Sequence, residues 1–160
     1  MVIVCGADPL IALAQVERLD LLLRIAGGEL HISDSVWQEV VRRGVADDVI
    51  TAKLLHTLIH ARKLRHHRIK LAADDPTLAL GEEETIALAV QMNADLVLLD
   101  DPLARRTARE VGLKVRGSVA VLLESARRGY ITAAQAQTLA YRMATRAAAW
   151  IDRDLVEMMF

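Results

Sequence analysis

The sequence predicts an α/β fold around a central, mostly parallel sheet of four to five strands, and three observations predict it. Short β-branched runs alternate with long segments of helical periodicity, the pattern of strand–helix–strand crossovers. The run Leu96-Val97-Leu98-Leu99 is continuously apolar, as a central parallel strand buried on both faces must be. A chain of 160 residues buries enough surface to fold around one core without disulfides.

Residues 2–5 (VIVC) form the first expected strand, ended by Gly6. Asp8-Pro9 then reads as a helix start, with Asp8 as N-cap and Pro9 at the first helical position. Residues 10–26 make one or two helices closed by Gly27-Gly28, and residues 30–32 the second strand. Ser33-Asp34-Ser35 opens a helix striped by Val36, Val40 and Val41 and stopped at Gly44, and residues 46–63 continue helically. Within the basic stretch 62–71, Arg68-Ile69-Lys70-Leu71 alternates like an edge strand. Residues 72–77 form a loop, and Gly81 opens a helix with Ile86, Ala89 and Val90 on its apolar side. After the strand at 96–99, a helix runs through Arg109, a short strand covers 114–116, and helices are expected near 118–128, 132–147 and 151–158. One domain over 1–160, with a helical C-terminal portion from about 118, is the expected organisation.

Composition excludes several classes of function. With one cysteine, Cys5, there is no intramolecular disulfide and no cysteine-based zinc module. Lys and Arg number 20 against 21 Asp and Glu, a formal net charge of −1, so nucleic-acid contact has to come from a local patch. Aromatics are 3% of residues, too few for a base-stacking platform. No stretch approaches the roughly 18–20 apolar residues a spanning helix needs, and the opening segment lacks a basic leader region. A soluble, cytoplasmic protein is the expectation.

In open parallel sheets the working site lies outside the carboxyl ends of the strands. The sequence puts acids there: Asp8 after the first strand, Asp100 and Asp101 after the strongest one, Glu82-Glu83-Glu84 at the start of a helix, and Glu39 on an apolar helix flank. Each has a structural reading as well. Asp8 and the Asp100-Asp101-Pro102 turn suit helix caps, and the three glutamates suit a helix N-terminus wherever it sits. Taken together, acids from four segments repel one another unless a cation joins them, and an all-oxygen donor set favours a hard divalent ion such as Mg²⁺ or Mn²⁺. Such an ion activates water for displacement at phosphorus, so phosphodiester hydrolysis is the chemistry these residues point to. A generic phosphatase activity at the same acids is a weaker alternative.

At these positions the chain resembles a PIN domain. The resemblance rests on Val4-Cys5-Gly6-Ala7-Asp8-Pro9-Leu10-Ile11, on Val36-Trp37-Gln38-Glu39-Val40, on Gly81-Glu82-Glu83-Glu84-Thr85-Ile86-Ala87-Leu88-Ala89, and on Leu96 to Leu99 followed by Asp100-Asp101-Pro102 and Arg105-Arg106. Gly112 to Ser118, Leu122-Leu123 and the tail from Trp150 to Val156 extend it over nearly the whole chain. It implies a three-layer α/β/α arrangement and a Mg²⁺- or Mn²⁺-dependent ribonuclease. It further implies Glu39, Glu82 and Asp100 as metal carboxylates with Asp101 as a fourth acid, and a role as the toxin of a toxin–antitoxin pair, held by a cognate antitoxin and often dimeric. One departure stands out. The family's first aspartate falls on Gly6, and an acid appears two residues later, at Asp8. Either Asp8 restores the charge and joins the metal ligands, or the chain is a weakened or inactive module that binds a partner protein.

RNA requires cations near the acidic rim, because phosphates supply most non-specific affinity. Arg105, Arg106 and Arg109, on the helix after Asp100-Asp101, are the candidates. The basic stretch from Arg62 to Lys70 reads equally as a protected sheet edge, with His66 and His67 pointing apart and solvated. The apolar C-terminal residues Leu139, Met143, Trp150, Leu155, Met158, Met159 and Phe160 read as core or as a dimer seam.

Overall fold

A computed structural model describes residues 1–47, 57–58, 60–71, 75–146, 151 and 153–160, with the backbone alone for 43–47, 146 and 153–155. In chain order the elements are β1 (Ile3–Cys5), α1 (Ala7–Gln15), α2 (Leu19–Ala26), β2 (Leu30–Ser33), α3 (Asp34–Asp47), β3 (Leu64–His67), α4 (Leu80–Gln91), β4 (Leu96–Leu98), α5 (Pro102–Glu110), β5 (Val115–Arg116), α6 (Ser118–Arg127), α7 (Ala133–Arg146) and α8 (Arg153–Met159).

The five strands make one parallel sheet in the order β3-β2-β1-β4-β5. β1 is central, in register with β4 through Ile3↔Leu96, Val4↔Val97 and Cys5↔Leu98 and with β2 through Val4↔His31. Strands β2 and β3 lie to one side of β1 and strands β4 and β5 to the other, so the order reverses between β1 and β4. Such a reversal opens a crevice at the carboxyl end of the sheet.

Alternation along β1 and β4 builds the layers. Ile3, Cys5 and Leu98 face a core shared with Leu10, Leu13, Leu22, Val36, Leu122 and Met143, from α1, α2, α3, α6 and α7. Val4, Val97 and Leu99 face the opposite way, onto Leu88 and Ala89 of α4 and Ala104 and Ala108 of α5. This is the expected three-layer α/β/α arrangement, with aliphatic side chains on both faces of the central strands.

Some local expectations are corrected and others made definite. The edge strand lies at Leu64–His67, not at 68–71, because Leu64 is buried and pairs with Leu30 while the residues that follow run out past the end of β2. Gly44 does not stop α3, which continues to Asp47. Asp8 is not an N-cap: Gly6 holds that position with extended backbone, and Asp8 sits in the first turn, where a carboxylate still favours the helix dipole. The segment 10–26 resolves into two helices because Glu17, at φ +58°, breaks the run. Leu139 and Met143 are core, whereas Met158 is 85% exposed. Trp150 and the side chain of Leu155 lie outside the described residues, as does most of the helix expected at 46–63.

Candidate active site

The crevice between β1 and β4 is closed from below by main chain: Gly6 N donates to Leu98 O at 2.9 Å. Above that bond lies a small cleft, about 40 Å³, lined by Gly6, Asp8, Glu39, Gly81, Glu82, Leu99, Asp100 and Asp101 among others. Five of the seven acids singled out in the sequence, all but Glu83 and Glu84, therefore line one cleft, although they come from α1, α3, α4 and the loop after β4.

Two glycines make room for them. A Cβ on Gly81 would lie 3.2 Å from Glu39 Oε2, so the bare helix start of α4 lets the α3 carboxylate close in. A Cβ on Gly117 would lie 2.8 Å from Asp100 Oδ1, nearer than real carbon–oxygen contacts allow. Gly6 has its own crowding: a Cβ there would meet Leu99 Cδ2 at 3.0 Å and Leu98 O at 3.3 Å.

Asp100 is buried and held from the far side. Ser118 donates to its Oδ1 from the backbone N, at 2.7 Å, and from Oγ, at 3.1 Å. Burial pushes the Asp100 carboxyl above its ordinary range; the two Ser118 hydrogen bonds and Arg105 oppose the shift, and the charge of Asp8 adds to it. Glu82 is likewise raised, first by burial and then by Asp101, Asp8 and Glu39, with its hydrogen bond from Ala79 N (3.2 Å) acting the other way. The mutual effects of Asp8, Glu39, Glu82, Asp100 and Asp101 describe negative charge crowded into one place. Cys5, at the end of β1, has its thiol raised by burial and then by Asp100 and Asp8.

The glutamate run divides into three roles. Glu82 lines the cleft, Glu83 Oε1 accepts from Asp75 N, and buried Glu84 accepts from Ser35 N at 3.3 Å, tying α4 to the start of α3. Asp101 has two attachments: it lines the cleft and also caps α5, accepting from Ala104 N at 2.8 Å. Of the three arginines, Arg105 is half-buried and acts on Asp100. Arg106 is exposed and approaches Glu110 at 3.9 Å, and Arg109 is exposed.

The sequence shows Gly81 as a helix start and Gly117-Ser118 as part of a matching segment, but not the part each plays in placing Glu39 and Asp100. That part emerges only once the neighbouring carboxylates are in space.

A family model described as "PIN domain" matches residues 2–160. The chain belongs to the PIN-domain family. Among solved structures it is similar to a PilT N-terminus domain protein from the hyperthermophilic archaeon Sulfolobus solfataricus, at 17% identity and a TM-score of 0.54, covering 78% of this chain and 93% of that one. It is also similar to a domain of a functionally unknown protein from Methanocaldococcus jannaschii, at 14% identity and a TM-score of 0.48, covering 73% and 91%. No curated protein sequence matches significantly. The first of these likenesses supports the fold, and the family match carries a coarse activity: PIN domains are generally nucleases that depend on divalent metal.

The donor chemistry of this PIN domain's cleft suits a hard divalent ion, being all carboxylate oxygen and carrying raised proton affinities that a cation would relieve. As the side chains stand, no three His, Cys, Asp or Glu groups among the described residues converge tightly enough to share one ion. No helix among the described residues is long and apolar enough to cross a membrane.

Proposed function

We propose that this PIN domain is a Mg²⁺- or Mn²⁺-dependent ribonuclease. The observation that carries the reading is the meeting of Asp8, Glu39, Glu82, Asp100 and Asp101 in one cleft at the strand-order reversal. Asp8, Glu39, Glu82 and Asp100 would hold the ion, with Asp101 contributing charge from the α5 cap. Bound there, a divalent ion would activate water and stabilise charge in an in-line displacement at phosphorus. Ser118 fixes the orientation of Asp100 through two hydrogen bonds, and Arg105 beside it offers a cation to a substrate phosphate.

Two measurements test the reading. Purified protein should cleave labelled RNA only with Mg²⁺ or Mn²⁺, and Asp100→Asn or Glu39→Gln should reduce cleavage to background. Independently of activity, an ion at 100 times its Kd stabilises the native state by about 2.7 kcal/mol, about 5–10 °C in Tm for a chain of this size. Glu39→Gln should lose most of that shift. Intact RNA at every metal concentration, together with no thermal shift, would contradict the proposal.

The biological role that accompanies it is that of a toxin held by a cognate antitoxin, in the cytoplasm and as a homodimer. Expression of the chain alone should arrest growth, co-expression of a small neighbouring gene product should relieve it, and sedimentation should give twice the chain mass.

Gly6 favours a second reading, a catalytically silent module that binds a protein partner. The end of β1 carries glycine where an acid would stand, and a side chain there would press on Leu99 Cδ2 at 3.0 Å and Leu98 O at 3.3 Å, so Leu99 would have to give way. If wild type does not cleave RNA and Gly6→Asp does, the silent module is the better description.

A further inference from the structure

A concavity much larger than the acidic cleft lies beside β4, against α2 and α6. It is a groove of about 630 Å³ running along the β5 edge between α2 and α6. Its floor is aliphatic, built in part by Ile25, Leu96, Val121 and Leu123, and Met1 and Met159 also line it. Its rim is cationic. Arg105, Lys114, Arg116, Arg127 and Arg128 all line it, and the one carboxylate among the lining residues is Glu124. Glu124 is shared by Arg127 and Arg128 at 2.7 and 2.6 Å. Five positive charges against one negative in a chain of net charge −1 are a strong local segregation.

We infer that this groove is a docking surface for an acidic amphipathic segment of a partner protein, one that lays aliphatic side chains on the floor and carboxylates against the rim. The floor and rim choose the occupant jointly. An aliphatic floor asks for side chains at helical spacing, the helix-in-groove mode, and the rim asks for Asp and Glu at the flanks. A polynucleotide would satisfy the rim alone: no aromatic ring is among the lining residues for bases to stack on. A basic amphipathic segment would satisfy the floor and be repelled by the rim. The groove is separate from the acidic cleft, which it reaches only through Arg105 and Gly117, so the inference does not depend on nuclease activity.

The probe is a fluorescein-labelled helical peptide of about four turns, with Leu at i, i+3, i+4 and i+7 and Glu elsewhere, read by anisotropy on the full chain. Controls are the same peptide with Lys for Glu, and an oligouridylate of similar length. The Glu peptide should bind at least tenfold more tightly than the Lys peptide, and should perturb the methyl signals of Ile25, Leu96 and Leu123. Lys114→Glu with Arg116→Glu, both exposed positions, should weaken it at least tenfold without changing Tm. The inference is overturned if the Glu peptide does not bind, if it binds no better than the Lys peptide, or if charge reversal leaves binding unchanged. It is also overturned if oligouridylate binds the same methyls more tightly, which would make the groove a nucleic-acid track, or if the free protein dimerises with those methyls buried, which would make it a contact between copies of this chain.

Discussion

Single atoms decide the shape of the acidic cleft. Asp100 Oδ1 sits where a β-carbon on residue 117 would have to go, 2.8 Å away, so Gly117→Ala should cost about 1–3 kcal/mol by overpacking, read as a lower urea midpoint. Because Gly117 has ordinary extended backbone angles, that loss reports crowding of Asp100 and not backbone strain. Ser118→Ala is milder: the backbone N–H still reaches Asp100, and only the Oγ bond is lost, a change of about 1 kcal/mol. Glu82 tests the opposite sign. Its carboxyl is raised by burial and by its acidic neighbours, so at neutral pH its charge opposes folding, and Glu82→Gln in chelated, metal-free protein should raise Tm by about 1–3 °C, a figure kept small because solvent still reaches the group. The same substitution should diminish the thermal shift that Mn²⁺ produces. A site residue whose removal stabilises the bare protein and weakens its response to metal is a residue kept for function.

At the scale of elements, α5 poses the sharpest question, because Asp101 both caps it and lines the cleft. Asp101→Ala removes cap and charge together and should cost about 1 kcal/mol; Asp101→Asn keeps an acceptor for Ala104 N and removes only the charge. Loss of cleavage in the Asn variant at unchanged Tm assigns Asp101 to the chemistry, whereas loss only in the Ala variant assigns it to the helix. The elements were largely legible in the sequence. The central strand at Leu96 was readable because a continuous apolar run flanked by acids and proline has few other uses, and α4 because Gly81 and its glutamates mark a start. The third strand was read four residues late, since Arg68 to Leu71 alternates well while Leu64-Arg65-His66-His67 does not. Parallel pairing with β2 and burial of Leu64 outweighed that local pattern, which is the usual way in which tertiary contact overrides a strand signal. The site was legible as a list of acids and illegible as a division of labour: nothing in Glu82-Glu83-Glu84 says which of the three turns inward.

For the molecule as a whole, the β2–β3 edge of the sheet is where pH acts on stability. On the β2–β3 side, His31 Nδ1 and His67 Nε2 share a hydrogen bond at 2.9 Å, and His31 Nε2 approaches Glu29 at 3.1 Å. Arg65, His66 and Asp34 surround the pair. Burial, the leading cause, lowers both imidazoles below their ordinary value, with each other's neighbourhood of positive groups adding to it and Glu29 opposing. The unfolded chain then takes up protons before the native one. This contribution to stability is intact above about pH 6.5 and is lost as pH falls from there through the lower native values. Urea midpoints should drop between pH 7.5 and 5.5, and His67→Gln should flatten that slope; an unchanged slope would show that the pair does not carry it. The β1–β4 seam is shut by the amide of Gly6 on Leu98 O, a link that every residue except proline can supply. The bond itself is thus indifferent to the side chain at position 6, and a substitution there is felt instead through crowding of Leu99 Cδ2, 3.0 Å from where its β-carbon would stand.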